Sequence, residues 1–165
     1  MLPHLDAAYN LARWLLRHDH DAEDAVQEGF LRAHQAFGRF RGGDGRAWLL
    51  TIVRNVCFTR LRERQRAVAT EPFDDAAHGA ENETGEANAV AWREINEARL
   101  SEALQRLAPE FREAIVLHEL EGLSYREMAE VAAIPIGTVM SRLARARAKL
   151  QGELITLAKE SSHEL

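Results

Sequence analysis

The sequence of 165 residues lacks the features on which several classes of protein depend. It has one cysteine, Cys57, so it can form neither an internal disulfide nor a zinc site built from cysteines. Asp6, Arg13 and Arg17 interrupt the apolar residues near its start, which argues against a signal peptide or a membrane span there. We therefore expect a protein of the reducing cytoplasm with no membrane insertion.

Residues that favour strands are sparse, and the chain as a whole has no excess of positive charge. Apolar residues make up 46% of it and recur at helical spacing, which predicts an all-α fold. The formal net charge is −5, but the charges form blocks. Residues 29–66 contain nine arginines and two acidic residues, residues 71–86 only acidic charges, and residues 131–152 only basic ones. Such blocks indicate separate surfaces with separate partners.

The apolar patterns divide the chain into two small helical domains. Three amphipathic helices that can share one core are predicted in the first half, and helical patterns resume near residue 90. The stretch between them is too poor in apolar residues to offset the entropy lost on ordering. We therefore predict domains at 1–66 and 90–159, a flexible acidic linker at 67–89 and a tail at 160–165.

The second domain contains a pattern typical of a helix-turn-helix. Ser124 and Glu127 form a capping box, with Leu123 and Met128 as its hydrophobic staple, and Pro135 favours the start of the next helix. The residues predicted to face inward on that helix are Val139, Leu143, Ala146 and Leu150. A neighbouring sector carries Thr138, Ser141, Arg142, Arg145 and Lys149. Such side chains bind guanine and phosphates in the major groove, although a solvated basic face is the alternative.

The predicted second helix carries an outward stripe at the spacing i, i+3, i+4, i+7. Its members are Asp24, Gln27, Glu28 and Leu31, while Val26 and Phe30 face the core. Carboxylates beside one apolar contact suit a cationic helical partner. A solvated helix face explains the same stripe, so the residues alone leave both interpretations open.

A glycine-rich loop with aromatic residues and arginines precedes the third helix. Flexible backbone, stacking surfaces and cationic groups are what a protein needs to hold unpaired bases. Spacing favours core positions for Phe37 and Trp48. The better candidates for surface contacts are Arg41, Arg46, Arg54 and Asn55. The seven histidines are scattered, and no arrangement of nucleophile, base and acid predicts catalysis or a metal site.

Two of these segments resemble a known family. The run SYREMAEVAAIPIGTVMSRLARARAKL is similar to region four of extracytoplasmic-function (ECF) sigma factors, group IV of the sigma-70-like family, and DAEDAVQEGFLRA is similar to region two. The resemblance implies a non-catalytic subunit without a cofactor that binds core RNA polymerase and directs promoter-specific initiation. It implies contacts with promoter DNA, with the clamp helices of the largest polymerase subunit and with the flap region, and an anti-sigma factor as regulator.

The resemblance also implies roles for three sets of residues. Core-polymerase binding falls to Asp24, Gln27, Glu28 and Leu31. Recognition and melting of the minus-ten element falls to Arg41, Gly42, Gly43, Arg46, Trp48, Arg54 and Asn55. Recognition of the minus-thirty-five element falls to Ser124, Thr138, Ser141, Arg142, Arg145 and Lys149. The acidic linker can imitate nucleic acid in the polymerase cleft or serve as a solubilising spacer.

Two features depart from the pattern of the family. Ala132 and Ala133 replace a common Leu-Gly pair in the turn, although glycine tolerates positive φ far better than alanine. Met140 stands where the family frequently has a basic residue, and this difference is expected to affect which promoter sequence is preferred. Two alternatives stay open: a sigma mimic that titrates an anti-sigma factor, and a conventional helix-turn-helix regulator. Arg142 and Arg145 argue against the mimic, and the stripe on the second helix argues against the regulator.

Overall fold

The computed structural model describes residues 2–40, 42–69 and 97–163, and every regular element in these ranges is helical. This confirms the predicted all-α fold. The helices are α1 (Leu5–Leu16), α2 (Asp19–Ala36), α3 (Gly45–Ala69), α4 (Glu97–Arg106), α5 (Pro109–Ile115), α6 (Tyr125–Ala132) and α7 (Ile136–His163). Short 3-10 turns are found at Leu2–His4 and Phe37–Arg39, and a π-helical turn, Val116–Leu120, extends α5. Residues 67–69 of the predicted linker form the end of α3, and the rest of that linker lies outside the described residues. Arg41, in the predicted minus-ten loop, also lies outside them.

The first domain is a bundle of α1, α2 and α3. Its core contains the fully buried side chains of Leu11, Leu15, Leu16, Leu49 and Leu50. Burial of each leucine contributes about 2 kcal/mol relative to exposure. Gly29 of α2 lies directly against α3, where an added Cβ would stand 2.7 Å from Val53 Cγ2. The missing side chain at this position therefore allows α2 and α3 to pack closely.

The second domain contains the predicted helix-turn-helix, formed by α6 and α7. The Ser124 hydroxyl accepts a hydrogen bond from the Glu127 amide at 3.1 Å, and the Ser124 amide donates to the Glu127 carboxylate at 3.0 Å. This confirms the capping box. All four residues predicted to face inward on α7 are buried. Ala133 ends α6 with φ +56°, so an alanine adopts the left-handed conformation that this turn requires.

Phe37 does not lie in the core as the spacing predicted. The chain leaves the α-helical path after Ala36, and the side chain of Phe37 is 56% exposed. Its ring lies 6.4 Å from the Phe40 ring and 6.5 Å from the Trp48 ring, between centroids. Trp48 is partly buried against the core. Helix α2 ends one residue before Phe37, so the prediction for Phe37 was wrong.

The two domains pack directly against each other, with α1 and α3 of the first facing α5 and α6 of the second. Arg112 of α5 is buried and donates a hydrogen bond to the Leu15 carbonyl at 3.1 Å, near the end of α1. That carbonyl has no partner within its own helix. Burial lowers the pKa of Arg112 to about 10, which still leaves the guanidinium charged at neutral pH. Arg17 in turn donates to the Gln105 carbonyl, so each domain contributes a donor to this contact.

Candidate nucleic-acid and protein interfaces

The outer face of α7 carries the predicted minus-thirty-five residues. Ser141, Arg145 and Lys149 are exposed, and Thr138 and Arg142 are half-buried. Within the described ranges Arg145 forms no ion pair, while the Lys149 ammonium lies 5.5 Å from the centroid of the Phe111 ring. The structure therefore brings these groups onto one accessible cationic face. Ser124 belongs to a different element, because its hydroxyl caps the start of α6.

The predicted minus-ten loop has the backbone freedom that its glycines imply. Gly42 and Gly43 have φ of +82° and +93°, where a side chain would be strained, and both face open space. Next to them is an open cavity of about 410 Å³. It is lined by Arg39, Phe40, Gly42, Gly43, Asp44, Ala47, Trp48 and Thr51, and by Glu130 of α6. The second domain thus supplies a carboxylate to one side of this cavity.

Two arginines predicted to contact the minus-ten element are engaged by the second domain. Arg54 Nε donates to Glu113 Oε2 at 2.8 Å, and their side chains are only 18% and 2% exposed. Arg46 donates to Glu127 Oε2 and to the Glu121 carbonyl, both at 3.2 Å. Asn55, whose side-chain oxygen accepts a hydrogen bond from Arg54 at 3.4 Å, remains exposed. We call the contacts of Arg46 and Arg54 with Glu113, Glu121 and Glu127 the interdomain lock.

The carboxylates of the interdomain lock have opposite pKa shifts. Burial raises the pKa of Glu113, and the nearby charges of Arg54 and Arg142 oppose this effect. A hydrogen bond shared with Asp44 lowers the pKa of Glu127 to about 2, helped by the Ser124 amide and by Arg46. Glu127 is therefore fully ionised at neutral pH. Glu113 is buried with little water around it, so its negative charge is stabilised by Arg54, its hydrogen-bonding partner.

The predicted polymerase-binding stripe lies on the outer face of α2. Leu31 is 65% exposed, Gln27 is exposed, and Asp24 and Glu28 are partly exposed. Glu28 accepts hydrogen bonds from Arg60 at 2.8 Å and Arg32 at 2.7 Å, and the bond from Arg60 is the main cause that lowers the pKa of Glu28. The charge of Glu28 is thus partly neutralised within the domain. Sequence reasoning missed this role of Arg60, because a block of nine arginines does not indicate which of them has a partner.

The described residues bear on three further properties, namely metal binding, the reactivity of the thiol and membrane insertion. No three histidine, cysteine, aspartate or glutamate side chains among them are grouped to hold a metal ion. Burial raises the pKa of the Cys57 thiol to about 12, so this thiol is protonated and unreactive at neutral pH. In the same part of the chain, no helix combines the length and apolar character needed to cross a bilayer.

Comparisons with known proteins decide the family. The family model described as Sigma-70 region 2 matches residues 2–67, and that described as Sigma-70, region 4 matches residues 97–150. ECF RNA polymerase sigma factor SigM of Mycobacterium tuberculosis is 38% identical over 143 residues, which are 86% of this chain and 68% of that protein. The chain belongs to the ECF RNA polymerase sigma factors. The resemblance predicted from the two sequence motifs is confirmed.

Other relatives extend over both domains of this sigma factor. ECF RNA polymerase sigma factor SigE of Mycolicibacterium smegmatis is 35% identical over 159 residues, 96% of this chain, but the match spans only 60% of that longer protein. Among solved structures, sigma factor RpoE of Bartonella quintana was crystallised in complex with the anti-sigma factor NepR. It is 32% identical, covers 93% of this chain and 92% of its own, and has a TM-score of 0.72.

Proposed function

We propose that this ECF sigma factor binds core RNA polymerase and directs promoter-specific transcription initiation in the cytoplasm, without catalysis or a cofactor of its own. The observation that carries the proposal is the presence in one chain of a capped helix-turn-helix with an exposed cationic helix and of a separate exposed stripe on α2. The functional domains would comprise residues 1–66 and 90–159, joined by the acidic segment 67–89.

The stripe on α2 is the proposed contact with the clamp helices of the polymerase. Leu31 would supply apolar area, while Asp24, Gln27 and Glu28 would pair with cationic and polar groups of the partner. Glu28 contributes least, since Arg32 and Arg60 already occupy its carboxylate. The flap region is the second proposed contact on the polymerase, made by the second domain.

The proposed promoter contacts differ between the domains. Helix α7 would enter the major groove at the minus-thirty-five element, where the exposed side chains of Arg145 and Ser141 would reach bases and phosphates. The minus-ten element would bind the glycine-rich loop together with Arg41, Arg46, Trp48, Arg54 and Asn55. Their cations and aromatic rings suit an unpaired strand. Ser124 would lie near the DNA only through its position at the start of α6.

Binding of the minus-ten element would require the two domains to separate. The carboxylates of Glu113 and Glu127 hold Arg54 and Arg46, and Glu130 lines the cavity beside the loop. Three anionic groups of the second domain therefore occupy positions where phosphates of a DNA strand would be attracted. Attachment of both domains to the polymerase would supply the free energy of separation.

An anti-sigma factor is the proposed regulator, because the structural relative RpoE was captured with NepR. Such a partner would act by burying one or both of the surfaces that bind DNA and the polymerase. The alternative of a sigma mimic shares this partner but requires no promoter binding. The accessible cations on α7 favour the sigma factor.

The test is transcription in vitro with core RNA polymerase, the full chain and a library of promoter sequences. We expect initiation from a defined subset of promoters and a steep loss of promoter binding as salt rises, because phosphate contacts release counterions. The variant D24K/L31D should abolish assembly with the polymerase. Glu28 is left intact, because a lysine there would gather three cations with Arg32 and Arg60.

The matched control is E97K/L120D, which makes the same two kinds of change on exposed positions of the second domain. It should assemble normally. Stable binding to core polymerase without initiation at any promoter would favour the mimic, and normal assembly of D24K/L31D would remove the α2 stripe from the proposal.

A further inference from the structure

An apolar strip runs along one flank of the exposed face of α7. Its members are Ile136, Met140 and Ala144, which succeed each other at intervals of four residues and therefore lie one above the other on the helix. The side chain of Met140 is 53% exposed and that of Ile136 is 45% exposed. Neither side chain belongs to the buried core of the domain, although both are large and apolar.

The charges around this strip are arranged asymmetrically. Ser141 separates the apolar strip from the flank that carries Arg145 and Lys149. The cation nearest to the strip in helical register is Arg147, and its Nε donates to Glu119 Oε1 at 2.9 Å. This hydrogen bond raises the pKa of Arg147 and neutralises its charge locally. One flank of the exposed face is thus cationic, and the other is apolar and nearly uncharged.

A helix with two such flanks matches the chemistry of a DNA major groove. The phosphates that border the groove attract the cationic flank, and the C5-methyl group of thymine is the one apolar feature that the bases present there. Residues 131–152 contain only basic charges, which makes DNA a better occupant than an apolar protein surface.

We propose that Met140, supported by Ile136, is a specificity-determining residue that selects thymine in the upstream promoter element by contact with its C5-methyl group. The inference rests on the proposed function, because it requires α7 to lie in the major groove. It goes further in naming the base and the atom that are read. A cation at position 140 would instead favour guanine, which presents two acceptors, N7 and O6.

The experiment uses the holoenzyme formed from core polymerase and the full chain. A library with a randomised upstream element first identifies the preferred sequence, and each thymine in it is then replaced singly by uracil, which lacks only the methyl group. We expect one or two of these replacements to weaken promoter binding roughly fourfold, the factor that corresponds to burial of one methyl group at about 0.8 kcal/mol. The remaining replacements should have no effect.

The variant Met140→Ala should lose this discrimination between thymine and uracil, and Met140→Lys should shift the selected base towards guanine. Because Met140 is exposed, neither change should alter the fold, which circular dichroism checks. Two further variants serve as comparisons. Arg145→Ala should lower affinity for thymine and uracil promoters alike, and Leu120→Ala, at an exposed apolar position outside α7, should change neither.

The outcomes distinguish a failure of the proposed function from a failure of the proposed role of Met140. If no upstream element is selected, the proposed function itself fails. If an element is selected but uracil is tolerated at every position, or Met140→Ala keeps the discrimination, only the role of Met140 is overturned, and the apolar strip must be covered by something other than DNA.

Discussion

The two surfaces predicted to read the promoter are both basic in sequence, yet they differ in what covers them. On α3, Arg46 and Arg54 are held by carboxylates that lie 81 and 59 residues away along the chain. On α7, Arg145 is exposed and forms no ion pair with the described residues. A charge pattern therefore identifies the cations of a chain, whereas the packing of its domains determines which of them are free to bind DNA.

The largest expected effect comes from breaking the interdomain lock at Arg54. The substitution Arg54→Met would leave the Glu113 carboxylate buried without its partner, at a cost of about 3 kcal/mol to the closed arrangement. The domains should separate, because separation returns Glu113 to water. Dyes attached to cysteines at the exposed positions 35 and 159 would report this as a fall in energy transfer, while the buried Cys57 thiol stays unlabelled.

The control for this prediction is Arg62→Met, on the same helix. Arg62 is exposed, and the one hydrogen bond it makes to a described residue goes to the Thr59 hydroxyl at 3.4 Å, so its replacement should leave energy transfer unchanged. Adding Glu113→Gln to Arg54→Met should restore part of the closed population, because it removes the unpaired charge. Unchanged energy transfer in Arg54→Met would show that the lock contributes little to domain packing.

The second prediction tests whether α7 is already available in the closed chain. The substitution Arg145→Ala should weaken binding of the cognate upstream duplex by about 1 to 3 kcal/mol if its guanidinium bonds a base. Binding is measured with the holoenzyme by fluorescence anisotropy. The control Lys159→Ala changes a cation at the far end of the same helix and should have no such effect.

A third prediction tests whether the packing of the domains affects DNA binding by α7. If α7 is free in the closed chain, Arg54→Met should leave the affinity of the chain for the upstream duplex unchanged. A marked gain of affinity in Arg54→Met would mean that the packing of the domains also restricts α7, and the contrast between the surfaces would disappear.

Local patterns in the sequence predicted much of this structure. The capping box of Ser124 and Glu127 and the four buried positions of α7 depend on neighbours within one or two helical turns, so spacing alone could identify them. Phe37 was misplaced because periodicity does not indicate where a helix ends. The partners of Arg54 and Arg112 could not be predicted, since they are brought together only when the two domains pack.

A smaller effect is expected at the turn between α6 and α7. Ala133 has φ +56°, a conformation that costs an L-residue about 1 to 2 kcal/mol, whereas glycine adopts it freely at an entropic cost of about 0.5 to 1 kcal/mol. The substitution Ala133→Gly should therefore raise the free energy of unfolding by about 0.5 to 1 kcal/mol. The two domains should stay packed against each other in this variant. The stability of the helix-turn-helix would then change independently of the interdomain lock.

Denaturant unfolding and energy transfer on the same samples would check this prediction. The matched control is Ala148→Gly, at an exposed position inside α7, which should lower stability by about 1 kcal/mol because glycine is a poor helix former. A loss of stability in Ala133→Gly would mean that the turn is not strained.

The smallest effect is the response of the interdomain lock to acid. Because the pKa of Glu127 is lowered to about 2 by its hydrogen bonds with Asp44 and the Ser124 amide and by Arg46, its stabilising contribution is complete above the ordinary value of 4.5. That contribution is lost as the pH falls from 4.5 towards 2. Glu113 acts in the opposite direction, since its raised pKa favours protonation in the closed state as the pH falls.

The two responses can be separated with Glu127→Gln, which keeps an oxygen to accept the bond from the Ser124 amide but cannot ionise. Energy transfer between the dyes should fall between pH 4.5 and 2 in the original chain and should change less in Glu127→Gln. Identical pH profiles would show that Arg46 and Glu127 do not hold the domains together. The closed state of the minus-ten surface would then depend on Arg54 and Glu113, which lie in the drier part of the same interface.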